Sequence, residues 1–300
     1  MLVAQTSIAL AARDRLEGRP GGDDDQVGSP PPGFRARFAD LVARDAIDEL
    51  PPIARGPRST VARLVVDEAR FVVKRYHEPG AFLWRTFLRA SRAHREFDAL
   101  ALVCAAVPNP VQPVAWAEDR RLGLVPRSWV VTNELAHASN LRELKGLEGA
   151  ARAAVVALVL DVLPGRVAAL HAARIFARNL HAKNVLVAPA AGALAFIDLP
   201  RAGRVATLGR RQRVHDLACL WKELRRSLDA DERRRFFEGY ARAAGVEDGA
   251  ALEDLVVARA DILDNRTPLA GAIHRARRAL RHSRLGRWVT GRAPGPGSPA

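Results

Sequence analysis

Asn184 and Asp198 carry the first hint of chemistry in this 300-residue chain. Each offers a side-chain oxygen, and the 14-residue step between them reads as strand, turn, strand (VLVAPAAGALAFI). A hairpin of that length would bring both oxygens to one point, where they suit a hard cation such as Mg2+ that bridges phosphate groups. Lys74, at the end of the apolar run FVVK, adds a positive charge. It is one of four lysines among 47 basic residues, the other 43 being arginine. A lysine retained against such a drift suggests a role that needs a compact point charge rather than a planar fork. Glu96 follows 22 residues later, in SRAHREFDAL, as a suitable counter-ion. On position alone Lys74 reads as a surface lysine at a hairpin edge. With Glu96, Asn184 and Asp198 beside it, phosphate binding is the better reading.

These residues need elements to hold them. The stretch TVARLVVDEARFVVKR contains two β-branched runs, 61–66 and 71–73, around a polar Asp67-Glu68 turn, which predicts a hairpin. A helix is expected over 91–107, with Phe97, Leu100, Ala101 and Cys104 at helical spacing and Pro108 and Pro110 as its stop. WVVT predicts a strand over 129–132. Glu134 comes two residues after it and is assigned, with Gly56, to the cofactor side. Gly56 is the one glycine in IARGPRST, the stretch placed to cover a phosphate group. A long apolar helix is expected over 150–172, short strands over 185–187 and 195–197, and helices onward to about 282. A β-rich first half and a helical second half imply an α+β fold of two lobes with a cleft between them. The expected boundaries are a disordered arm over 1–33, a β-rich lobe over 34–133, a helical lobe over 134–285 and a disordered tail over 286–300.

Composition narrows the function classes. Hydrophobic residues make up 48% of the chain, enough for a core. The formal charge of +14 fits either a solvated surface or an attraction to polyanions such as anionic lipid or phosphorylated substrates. No nucleic-acid-binding module and no interleaving of aromatic with basic residues is found, so nucleic acid is not expected as a partner. Cys104 and Cys219 sit far apart in helical patterns and read as buried free thiols of a reducing compartment. The apolar run 153–163 is interrupted by Asp161 and closed by Pro164, short of the ~20 residues of a membrane span. The N-terminus lacks the basic region of a signal peptide, so a cytoplasmic protein is expected.

Two longer stretches bring a resemblance. Ala177-Arg178-Asn179-Leu180-His181-Ala182-Lys183-Asn184 resembles the H-R-D-x-x-x-x-N catalytic loop of protein kinases, with Asp198 in the place of the D in D-F-G. RFVVKRYHEPGAFLW and SRAHREFDALALVCAAVPNPVQPVAW, followed by IDLPRAGRV and RRQRVHDLACLWKELRRS, resemble the lipopolysaccharide kinase family, especially the Kdo kinases and the core heptose kinases. The resemblance runs over residues 50–230 and implies a two-lobed protein-kinase-like fold. It implies ATP as phosphoryl donor, Mg2+ on Asn184 and Asp198, Lys74 on the α- and β-phosphates with Glu96 as its partner, and Asp216 as the carboxylate pinning the catalytic loop. Only 17 residues separate Asp198 from Asp216, and no A-P-E follows, which leaves little room for a peptide-docking segment. The acceptor implied is a sugar hydroxyl on a glycolipid, the lipopolysaccharide inner core, at the cytoplasmic face of the inner membrane. Phe82, Leu83, Trp84 and Phe87, and the arginine-rich stretch 274–288, are the segments expected to meet an anionic membrane; their plainer reading is one core-packing and one solvated helix.

One position departs from the family. The catalytic set is Lys74, Asn179, Asn184 and Asp198, and Asn179 stands where the family has aspartate. An amide can position a hydroxyl but cannot take its proton at neutral pH. Because phosphoryl transfer is loose, that loss costs ~10²–10⁴ in rate rather than all activity. His181 is a weak candidate for a substitute base, since loops that keep the aspartate carry a histidine there too. Two readings follow: a phosphotransferase impaired on its acceptor side, or a nucleotide-binding pseudokinase that regulates or scaffolds a partner.

Overall fold

The computed structural model describes residues 5–10 and 30–265. The rest of the expected arm, the tail from 286 and the basic stretch 274–288 lie outside the described residues.

The first lobe is a six-stranded antiparallel sheet. Its strands are β1 (Gln5–Leu10), β2 (Pro52–Gly56), β3 (Ser59–Val66), β4 (Ala69–His77), β5 (Pro113–Arg121) and β6 (Leu124–Asn133), in the order β1-β5-β6-β4-β3-β2. The strand β1 falls inside the stretch expected to be a disordered arm. It pairs with β5 from Gln5 opposite Arg120 to Leu10 opposite Ala115, and so covers backbone groups that β5 would otherwise expose at the sheet edge. Helix α1 (Phe34–Arg44) lies under one face of the sheet. Its Phe34, Phe38, Leu41 and Val42 are buried in one cluster with Phe71, Val73, Trp129 and Val131.

Strand pleating sorts the other face, because side chains alternate from one residue to the next. Phe71 and Val73 turn to α1, whereas Tyr76 packs with Ala93, Phe97 and Val130. That second face carries α3 (Arg92–Ala106), which follows the one-turn helix α2 (Gly80–Leu83). Ser91 caps α3 by accepting a 3.1 Å bond from the His94 amide. Lys74 shares the parity of Tyr76, so the pleat aims it at α3.

The second lobe follows a short strand, β7 (Ser139–Asn140), and is built from α4 (Gly149–Asp161), α5 (Leu163–Ala172), α6 (Arg210–Leu224), α7 (Ala230–Ala244) and α8 (Gly249–Asn265). Between α5 and α6 lie β8 (Ile175–Phe176), β9 (Val185–Ala188), β10 (Ala193–Phe196) and β11 (Gly203–Arg204). The helix expected over 150–172 is two helices that meet at Val162. Pro164 has no N–H to give, so it suits the first turn of α5 and not the interior of a continuous helix. Among the described residues Gly149–Ala172 is long and apolar enough to cross a membrane by composition, but half of that window is buried inside the protein. Val155, Val159, Leu163 and Val167 instead share a core with Trp221, Phe236, Phe237 and Tyr240. Helix α7 opens with a reciprocal cap: the Glu232 amide donates to Asp229 at 2.8 Å and the Asp229 amide donates to Glu232 at 2.9 Å. It closes at Gly245, whose φ of 64° is the left-handed turn glycine tolerates best.

Candidate active site

Lys74, on β4, meets two carboxylates from different parts of the chain. Its ammonium lies 3.2 Å from Glu96 on α3 and 2.8 Å from Asp198, just past β10. Lys74 and Glu96 are 16% and 8% exposed at their side chains, whereas Asp198 is 39% exposed. The first pair is therefore structural and the second is open to exchange. Tyr76 adds a third contact by donating its hydroxyl to Glu96. Burial, partly offset by Lys74, holds the Glu96 carboxyl above its usual range, and burial beside Glu96 also raises the Tyr76 phenol. Tyr76 thus anchors Glu96, and Glu96 in turn accepts from Lys74.

The loop from Ala177 to Asn184 is fixed from below. Fully buried Asp216, in α6, accepts the Ala177 amide at 2.8 Å and the Arg178 amide at 2.7 Å. Arg178 and Asp198 both have left-handed backbones, φ 61° and φ 50°, a conformation non-glycine residues adopt only when their surroundings hold them there. Asn184 is 1% exposed and spends its amide nitrogen on two carbonyls, Asn179 at 3.0 Å and Asp198 at 3.3 Å. Its side-chain oxygen accepts no hydrogen bond among the described residues. That oxygen and the second Asp198 oxygen, which also accepts no hydrogen bond among the described residues, are of the type a hard cation takes. Among the described residues no cluster of three or more His, Cys, Asp or Glu could cage a metal. A cation here would therefore complete its shell with phosphate oxygens and water, as magnesium does.

The other expected site residues fall as follows. Gly56 ends β2, and Pro57 and Arg58 form the tight turn to β3 at the sheet edge. IARGPRST is thus a hairpin rather than an open loop. Glu134 follows β6, but Arg63 holds its carboxylate at 2.5 to 2.9 Å and its N–H donates to the Arg70 carbonyl at 3.0 Å, which leaves its backbone carbonyl as what it offers a ligand. Neither Gly56 nor Glu134 hydrogen-bonds to the Lys74 cluster. Asn179 makes no side-chain hydrogen bond among the described residues. Its carbonyl is taken up by Asn184 and by the His181 amide at 2.9 Å. His181 lies 3.8 Å from Glu223 of α6, and burial lowers its pKa.

One positioning residue escapes a reading of the sequence. Asn109, between Pro108 and Pro110, is buried, accepts the Phe196 amide at 2.7 Å and donates to the Phe196 carbonyl at 3.2 Å and the Val111 carbonyl at 2.6 Å. It ties the connection between α3 and β5 to the strand that delivers Asp198. Its only sequence signal is a short polar side chain between prolines, which usually marks a surface turn.

A small antiparallel lobe, a helical lobe, a strand lysine paired with a helix glutamate, and a loop asparagine beside an acidic residue past a hairpin together define the protein-kinase-like class. Within it, the family model described as lipopolysaccharide kinase (Kdo/WaaP) matches residues 73–240, more than half of the chain, and the chain belongs to that family of kinases. A solved structure described as WaaP in complex with acyl carrier protein aligns with a TM-score of 0.55 at 21% identity, over 79% of this chain and 98% of that one. At that identity the likeness speaks for the fold. A search of curated proteins gives no match.

Proposed function

We propose that this chain transfers the γ-phosphoryl group of ATP to a hydroxyl of a lipopolysaccharide inner-core sugar, Kdo or heptose. The observation that carries the reading is the meeting of Lys74, Glu96 and Asp198 beside an Asn184 oxygen with no other partner. Lys74 would exchange its exposed partner, Asp198, for the α- and β-phosphates while Glu96 keeps it aimed. Asn184 and Asp198 would hold Mg2+, which when bound neutralises charge on the phosphates. The β2–β3 turn at Gly56 would lie over the phosphates, and the backbone at Glu134 would face the base. Asn179 would orient the acceptor hydroxyl. As the acceptor oxygen bonds to phosphorus and the bond to the ADP oxygen breaks, the hydroxyl proton passes to solvent without a carboxylate to take it. Such a step would be slowed on its acceptor side.

The acceptor places the reaction at the cytoplasmic face of an anionic membrane. Trp84, Phe87, Leu88 and Leu122 support peripheral contact there, since each leaves 53% or more of its surface exposed. The Phe87 and Leu88 side chains close over Gly123 in the β5–β6 turn, where an added Cβ would come within 2.9 Å of Phe87.

The test is phosphate transfer from labelled ATP to purified Kdo- or heptose-bearing core glycolipid. Transfer that needs Mg2+ is expected. A wild-type chain that binds ATP yet transfers nothing would favour the pseudokinase reading, which the absent carboxylate at Asn179 motivates. A chain that binds no nucleotide would overturn both.

A further inference from the structure

A cavity of about 600 Å³ opens beside Tyr76, between the β2–β3 turn, α2, the start of α3 and the segment just after Asp198. Six arginines line it: Arg58, Arg85, Arg89, Arg92, Arg95 and Arg201. Glu78 is the one acidic residue on its wall, and it stands 3.9 Å from Arg92. The other five guanidiniums form no ion pair among the described residues. Elsewhere this protein pairs its arginines readily, as Arg63 with Glu134 or Arg127 with Asp119. So many unpaired like charges around one concavity repel one another, and a multivalent anion would relieve the repulsion.

The wall is built to hold these charges. Arg58 and Arg85 each lie 4.9 Å from the Phe82 ring centre, and Arg92 lies 4.4 Å from that of Tyr76. Stacking of this kind orients a guanidinium while leaving its N–H fork free. The N-terminus of α3, a 15-residue helix with no acidic residue in its first turn, adds positive potential to the same wall. The cavity also borders the candidate active site. Tyr76 lines it and reaches Glu96, and Arg201 follows Asp198 by three residues.

We infer that this arginine-lined cavity binds the acceptor through two or more phosphate or carboxylate groups that it already carries. The inference rests on the phosphotransferase reading and deepens it: an acceptor without those charges is a poor substrate. The reaction must then follow the steps that attach the acidic groups. Trp84 and Phe87, on the segment that supplies Arg85 and Arg89, would face the lipid in which such an acceptor is anchored.

The test is calorimetric titration of deacylated, anionic inner-core oligosaccharide into the full chain saturated with ADP and Mg2+. The wild type is compared with the double variant Arg85→Gln/Arg89→Gln. Both side chains are exposed, so folding should survive, and the ADP-dependent thermal shift serves as a separate check on the nucleotide site. Loss of two charge-assisted contacts should weaken the oligosaccharide by about tenfold or more. The wild type should also lose affinity as salt rises, and lose it more steeply than the variant. Equal binding by wild type and variant would overturn the inference. So would wild-type binding of a dephosphorylated, carboxyl-reduced oligosaccharide at full strength, or no oligosaccharide binding in a chain that keeps its ADP shift. If the variant loses only its binding to phosphatidylglycerol vesicles, the surface is a membrane contact and the inference fails. A wild type with no ADP shift would instead sink the nucleotide reading.

Discussion

The ammonium of Lys74 lies 2.8 Å from the carboxylate of Asp198, and that contact joins the two lobes at the point where chemistry is expected. In the proposed function, phosphates would take Lys74 and Mg2+ would take Asp198.

Replacing Asp198 with alanine should abolish the magnesium-dependent part of the ATP thermal shift. The side chain is 39% exposed, so the pair itself contributes little stability and the apo protein should melt within a few degrees of wild type. Melting curves with ATP alone and with ATP plus Mg2+ check this. An unchanged magnesium effect would mean that the cation is held elsewhere.

Asn179→Asp should raise phosphate transfer to a core glycolipid acceptor by about tenfold or more, part of the ~10²–10⁴ that a positioned base supplies. The gain should appear in kcat and leave the KM for ATP nearly unchanged, because the role proposed for Asn179 is toward the acceptor. If wild type is already active and the substitution adds nothing, another group handles the proton. His181 is then the first to substitute, although its place beside Glu223 on α6 argues against it.

Much of this site is legible in the sequence because its parts obey local rules. Strand parity aims Lys74 at α3, helical spacing presents Glu96, and the hairpin carries Asp198 back to Asn184. The carboxylate of Asp216 is readable only through resemblance, since nothing local says that it will accept two loop amides. Asn109 is not legible at all. Its distant partners are backbone groups of Phe196, 87 residues away, and backbone groups leave no trace in side-chain pattern. Asp161 and Pro164 mark the break at Val162, but apolar residues resume from Val167 to Leu170, so the periodicity alone predicts one helix over 150–172. Strand β1 is masked in the sequence by the Gly/Pro/Asp-rich stretch that follows it.

Asn109 also carries a prediction. Asn109→Ala leaves the buried Phe196 amide and carbonyl without partners, at about 1–3 kcal/mol for each orphaned group. A lower urea midpoint should come with weaker magnesium dependence, since β10 delivers Asp198. Asn109→Asp is the sharper variant. It keeps the acceptor for the Phe196 amide and loses the donor to Val111 and Phe196. A variant whose midpoint matches wild type would show that the tie bears no strain.

Glu96 sets a pH dependence whose sign can be worked out. Burial raises its folded-state pKa, so the folded chain still binds a proton where the unfolded chain has released one. Stability linked to Glu96 therefore falls as pH rises from the ordinary glutamate value through the raised one, and is regained on acidification across the same window. Glu96→Gln removes the titrating group, so the wild-type melting temperature should fall relative to the variant as pH rises through that window, and the difference should be flat outside it. The same variant leaves Asp198 as the one carboxylate beside Lys74, which should weaken ATP above that window, where Glu96 is ionised, and change it little below. A difference curve with no slope above the normal glutamate range would mean that Lys74 at 3.2 Å and the Tyr76 hydroxyl outweigh burial, and that Glu96 is ionised throughout.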